Sequence, residues 1–274
     1  MGKFLKRLAI GIVVLTLLLV AVLTINTLRY TPDKAATADP FVLGADIDQA
    51  TDLLSQAVQF QTVSTDPTRP DFAAFLAFLQ SAYPQVHATT DRIILTAQTP
   101  LYKWTGTNPD LQPVLLAAHY DVVPVAQDSL DQWSFDPFAG TVADGFVWGR
   151  GTLDDKGTLV ALLSAAEHLI GTGFQPERTV YFSFGGDEEV GGQGAQAVAQ
   201  YLIDNDIQLD WALDEGSFVL DRIIPGLDVP VASINLSEKG YVTLTLVAKG
   251  VGGHSSMPPR MTAVGRIARA VDRL

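Results

Sequence analysis

Apolar and polar positions divide the chain into unlike stretches. From Leu8 to Leu28 the sequence LAIGIVVLTLLLVAVLTINTL runs for 21 positions without a charge. At 1.5 Å per residue it makes a helix of roughly 30 Å, the thickness of a bilayer's hydrocarbon core. Arg29 to Gly44 is a polar tether containing Ala, Thr and Pro, with no periodic signal. Helical spacing then sets in, with Ile47, Ala50, Leu53, Leu54, Ala57, Val58 and Phe60 on one face, and again over Asp71–Tyr83 through Phe72, Phe75, Leu76 and Leu79.

Strands and helices alternate next. Strands are expected at Arg92–Ala97, Pro113–Ala118, Thr179–Phe184 and Leu209–Leu213, and helices at Thr158–Ile170 and Ala195–Asp204. The nearly all-apolar Pro113–Ala118 suits a sheet covered on both faces. The rhythm predicts an α/β fold, a mostly parallel sheet flanked by helices. Near Ile234 the pattern changes: Tyr241–Ala248 alternates with period two, and a helical pattern starts at Met261. This reads as the start of a second, α+β domain that cannot bury its apolar face alone, so the chain is expected to be cut off within it. The expected organisation is a membrane anchor over 1–30, a linker over 31–46, a catalytic domain over 47–233 and the beginning of the second domain over 234–274.

Composition changes this picture in four ways. The 47% apolar and 18% charged content is traceable to the N-terminal run rather than to a greasy enzyme body. Lys3, Lys6 and Arg7 precede that run, which predicts a single-pass protein with its catalytic part outside the cytoplasm. A cleaved signal peptide is the alternative, since Ala36-Thr37-Ala38 has the small-x-small form, but it lies over ten residues beyond an apolar run longer than usual for a signal. A net charge of -12 opposes nucleic-acid binding, and the absence of cysteine excludes disulfides, thiolate ligands and a cysteine nucleophile.

Chemistry-bearing residues gather just after strands, where open α/β sheets place ligands. His119-Tyr120-Asp121 follows VLLAA, and residues two apart in an extended segment share a face. A carboxylate there can fix the tautomer of a metal-binding imidazole; alone, the pair also suits an ordinary structural histidine. Gly149-Arg150-Gly151-Thr152-Leu153-Asp154-Asp155-Lys156-Gly157 opens a helix, yet its spacing is not that of a phosphate loop. Asp187-Glu188-Glu189 sits between glycine pairs after VYFSF, and Asp214-Glu215-Gly216 follows WAL. Adjacent carboxylates repel unless cations or hydrogen bonds offset them. One histidine and carboxylates at four successive strand ends predict a metal cradle. Ser183, Ser217, Ser255 and Ser256 lack a nucleophile elbow, which sets aside a serine hydrolase.

The segments AHYDVVPV, WGRGTLDDKGTLVALL, FGGDEEVGG, LDEGS and SEKGYVTLTLVAKGVGGHSSMPP resemble the M20 family of zinc aminoacylases and carboxypeptidases, in the branch of carboxypeptidase S and the N-fatty-acyl-amino-acid hydrolases. The resemblance implies two zinc ions per complete catalytic domain. It makes His119, Asp154, Glu189 and Asp214 metal ligands, with Glu215 as an alternative to Asp214, and Asp154 bridging both ions ahead of a cis peptide. Asp121 would orient His119, Glu188 would act as general base, and His254 would reach a partner subunit's site in a homodimer. It also implies one more histidine ligand from further along the chain. Of His87, His119, His168 and His254, none matches it. The expected substrate is a peptide or N-acyl amino acid with a free carboxylate. Trp133, Phe135, Phe138, Phe146 and Trp148 either line an acyl pocket or pack their own loop. A cocatalytic aminopeptidase and an inactive metal-retaining module are the alternatives.

Overall fold

The computed structural model describes residues 2–29, 44–66, 69–216, 219–237, 239–250, 252–254, 256–257 and 259–274. Most of the tether, with Ala36-Thr37-Ala38, lies outside them, as do Ser217 and Ser255. The chain forms two compact units, Met1–Leu213 and Asp214–Leu274.

The first unit opens with α1 (Gly2–Arg29), of which Phe4–Arg29 is long and apolar enough to cross a membrane. An anchor and a signal sequence both have this form. Helix α2 (Ile47–Val58) starts at Asp46, whose side chain accepts the Gln49 N–H at 3.0 Å, and α3 (Pro70–Ala82) and α4 (Pro84–Thr89) each begin on a proline. Proline fits there because a first-turn N–H has no intrahelical partner. Strands β1 (Asp91–Thr96), β2 (Thr99–Trp104) and β3 (Val114–His119) follow, then a small hairpin of β4 (Thr141–Ala143) and β5 (Phe146–Trp148). Helix α5 (Lys156–Gly171), β6 (Val180–Gly185), α6 (Gln193–Asp204) and β7 (Trp211–Leu213) complete the unit.

Five strands form one sheet in the order β1-β2-β6-β3-β7. The sheet is mixed: β1–β2 and β2–β6 are antiparallel, while β6–β3 and β3–β7 are parallel. The α/β class read from the sequence holds. Parallel pairing is confined to the half reached by crossovers, since β1 and β2 are joined by a tight turn that needs none.

Strand alternation builds the two cores. Tyr102, Trp104, Ala118, Phe182 and Phe184 point to one side, into a cluster with Ala57, Phe72, Phe75, Leu79, Val86, Leu159 and Leu163 from α2 to α5. Leu101 and Tyr181, one step out of phase, point to the other side and meet Val198 and Leu202 of α6. Helices therefore cover both faces of the sheet.

The second unit holds an antiparallel pair, β8 (Val219–Asp221) with β9 (Pro230–Ala232), and helix α7 (Ala263–Val271), whose first turn is capped by Thr262 Oγ1 accepting the Gly265 N–H. The alternating stretch 241–248 forms no ladder among the described residues. Alternation marks faces but supplies no partner strand.

Candidate metal centre

The β3–β6 ladder ends with His119 opposite Gly185, so the loops leaving these strands start at one level. Gly186 is required there, because a Cβ on it would lie 2.7 Å from the Tyr120 hydroxyl. His119 is buried and Asp121 fully so. The His119 Nδ1 lies 3.0 Å from the Asp121 carbonyl oxygen and 3.3 Å from Asp121 Oδ1. A carbonyl only accepts, so Nδ1 carries the proton, and in the neutral ring the lone pair sits on Nε2. That Nε2 is 2.9 Å from Asp154 Oδ1 and 4.0 Å from Glu188 Oε2.

Asp121 has a second task that the sequence did not indicate. Its Oδ1 and Oδ2 accept the backbone N–H groups of Glu188 and Glu189, each at 3.1 Å. One buried residue thus serves both sides: its backbone carbonyl receives the imidazole N–H, and its carboxylate holds the turn that carries the next two acids.

The three acids of the glycine-flanked run divide their roles. Asp187 turns away, and both its oxygens accept the Gly194 N–H in the first turn of α6, at 3.1 and 3.0 Å. Glu188 is exposed, and Glu189 is half-buried. Burial raises the Glu189 pKa above its ordinary value, and the negative charge of Asp154 raises it further. The neighbouring acids Asp154 and Asp155 also separate, across a cis peptide bond. Asp154 has 62% of its side chain exposed, whereas Asp155 is buried and accepts the His119 N–H at 3.4 Å. Burial pushes the Asp155 carboxyl up to about 6.

Lys156 was also not singled out by the sequence pattern. It is fully buried at the first turn of α5, with Nζ donating to the carbonyls of Ala57 at 3.0 Å and Phe60 at 2.7 Å. Burial lowers its pKa to about 7, opposed by the charges of Asp71 and Asp121.

Five of the seven expected site residues, His119, Asp121, Asp154, Glu188 and Glu189, are thereby gathered in the first unit. Asp214 and His254 belong to the second unit. Asp214 is the first residue past β7, and its Oδ1 accepts the Glu215 N–H at 2.9 Å. His254 is exposed, with Nδ1 2.8 Å from Ser256 Oγ. The aromatic residues around the hairpin mostly contact one another: Phe135 and Phe146 both pack on Trp148, whose Nε1 donates to the Ala143 carbonyl.

An outward imidazole lone pair beside carboxylates that repel one another is a donor set suited to a divalent cation such as zinc. An α/β sheet whose strand ends carry such a set has the build of a metal-dependent hydrolase. Residues 115–262, more than half of the chain, match the profile of Peptidase family M20/M25/M40, and the chain belongs to that family. It is 39% identical over 285 residues to "Probable carboxypeptidase S-like 2" of Dictyostelium discoideum, covering 98% of this chain and 53% of that one. It is 39% identical over 232 residues to the "N-fatty-acyl-amino acid synthase/hydrolase PM20D1" of Xenopus tropicalis, covering 82% of this chain and 45% of that one. The chain thus spans about half the length of these relatives. Among solved structures it resembles the di-peptidase Dug1p from Saccharomyces cerevisiae, with a TM-score of 0.52 and 22% identity over 64% of this chain and 39% of that one, a likeness of fold.

Proposed function

We propose that this chain carries most of a dinuclear zinc amidohydrolase of the carboxypeptidase or aminoacylase type, acting on peptides or N-acyl amino acids with a free carboxylate. The observation that carries this reading is the buried His119, committed through Nδ1 to Asp121 and presenting Nε2 to Asp154. His119, Asp154, Glu189 and Asp214 would hold the ions, Asp154 serving both. When bound, zinc lowers the pKa of water and polarises an amide carbonyl.

The rest is the work of side chains. Glu188, exposed yet fixed by its backbone to Asp121, takes a proton from water as the oxygen attacks the carbonyl carbon. It returns that proton to the amide nitrogen as the C–N bond breaks, so the products are an amine and a carboxylic acid, which ionises to the carboxylate. His254 from a second copy would donate a hydrogen bond to the developing oxyanion. The domain over 47–233 would perform the chemistry, with 234–274 belonging to a dimerising lid and α1 holding the enzyme in the bilayer, its catalytic part outside the cytoplasm.

Zinc per chain by elemental analysis, paired with hydrolysis of N-acyl and free-amine substrates by the full chain, tests the reading. Glu188→Ala is expected to lower turnover by about 10²–10⁴-fold while zinc is retained, and Asp154→Ala to lose zinc. Normal turnover in Glu188→Ala would overturn the general-base role, and a requirement for a free N-terminal amine would make the enzyme an aminopeptidase.

A further inference from the structure

The segment from Ala57 to Ser64 lies behind the candidate centre and takes no part in the chemistry above. Ala57, Val58, Thr62, Val63 and Ser64 are all buried. On one side the segment is stitched to the loop after β3. Thr62 Oγ1 donates to the Tyr120 carbonyl, the Val122 N–H donates to the Thr62 carbonyl at 2.9 Å, and the Ser64 N–H donates to the Val122 carbonyl at 3.0 Å. On the other side its Ala57 and Phe60 carbonyls receive Lys156 Nζ, and the Lys156 N–H closes the Asp154 loop by donating to the Gly151 carbonyl at 3.0 Å. The His119 loop and the Asp154 loop are distant in sequence, yet both are tied to these eight residues.

We propose that residues 57–64 form a brace that sets the spacing of the two metal-bearing loops, with Lys156 as the positioning residue that locks the Asp154 loop to it. The Lys156 side chain is suited to this task because it reaches from the start of α5 to the Ala57 carbonyl in the last turn of α2 and the Phe60 carbonyl just past it. Its Nζ also lies 5.2 Å from the Phe75 ring centre, so the cage around it is built from three elements. A methionine would fill the space and donate nothing. The inference rests on reading the two loops as a metal centre, and it assigns the brace no contact with substrate.

Peptide-resolved hydrogen exchange on the full chain in detergent, stripped of metal by a chelator, tests the brace without relying on turnover. Lys156→Met is expected to speed exchange in 119–122 and 150–156 while β2 and β6 keep their protection. It should also weaken zinc binding by about 10–100-fold, as loss of an outer-shell support does. The chain contains no cysteine, so Lys156→Cys can be alkylated with bromoethylamine in denaturant and refolded, which restores the amine and should restore both readouts. Unchanged exchange in both loops, or equal acceleration across the whole sheet, overturns the proposal. If Lys156→Met does not fold, Thr62→Val decides, because it removes the donation to Tyr120 and leaves Lys156 in place. Loop exchange and zinc affinity equal to the parent in that variant overturn the brace. A parent that takes up no zinc would remove the metal reading, and the exchange result would still decide whether the brace exists.

Discussion

At the scale of single residues, burial separates neighbours that look equivalent in sequence. Asp154 and Asp155 face opposite ways, as do Asp187 and Glu188, and in each pair one acid supports structure while the other is presented outward. His87 is a structural histidine by the same logic. Its Nδ1 is 2.9 Å from the Tyr83 carbonyl and its Nε2 is 3.0 Å from the Tyr102 hydroxyl. Burial lowers its pKa below 6.5; the Tyr83 carbonyl and Glu167 oppose that shift, and Arg92 adds to it. The unfolded chain therefore binds the proton more readily, and stability is lost as pH falls below about 6.5. His87→Gln is expected to lose less stability than the parent between neutral and mildly acid pH, as read by paired thermal melts. An equal or larger loss in the variant would contradict this account.

Among the elements, α6 depends on the loop that also carries the candidate ligands. Asp187 takes up the Gly194 N–H in its first turn, so Asp187→Ala should cost about 0.5–2 kcal/mol of stability, as lost caps do, and leave zinc binding near that of the parent. Glu189→Ala should do the reverse, since in the metal-free protein it removes a carboxylate raised by burial and by its neighbour Asp154. Denaturant unfolding alongside zinc titration distinguishes the two, and zinc loss in Asp187→Ala would mean the acids had been misassigned.

Elements also differ in how plainly the sequence marks them. Helices α2, α3, α5 and α6 were legible because apolar residues recur with helical spacing, and the glycine-flanked acids marked the strand ends. Strand β2 is not legible in the pattern, because Thr99-Pro100-Leu101-Tyr102-Lys103-Trp104 is buried throughout except at Lys103 and shows no alternation. The sequence gives no sign of the task of Lys156, because a lysine beside two aspartates reads as a solvated charge and its partners are carbonyls almost a hundred residues away. Thr62 and Ser64 gave no signal, since their hydroxyls matter only once Tyr120 and Val122 have been brought to them.

On the scale of the whole molecule, the fate of α1 decides how the protein is held. Every described side chain from Phe4 to Arg29 is exposed, which leaves this helix available to lipid. If it is a retained anchor, the full chain will resist an alkaline carbonate wash of membranes and keep its own N-terminus on sequencing. A mature chain beginning just after Ala38 would instead mark α1 as a signal that is removed.

The flush end of β3 and β6 bears on where this protein can change length. Deleting one residue from 114–119 would pull His119 back by about 3.3 Å and turn its side chain to the opposite face. The hairpin tip at Asp144–Gly145 is exposed, with nothing within 4 Å of where a Gly145 side chain would be. Insertions and deletions should accumulate at that tip and be purged from β3, so length variation would trace the outline of the centre even where its ligands had been replaced.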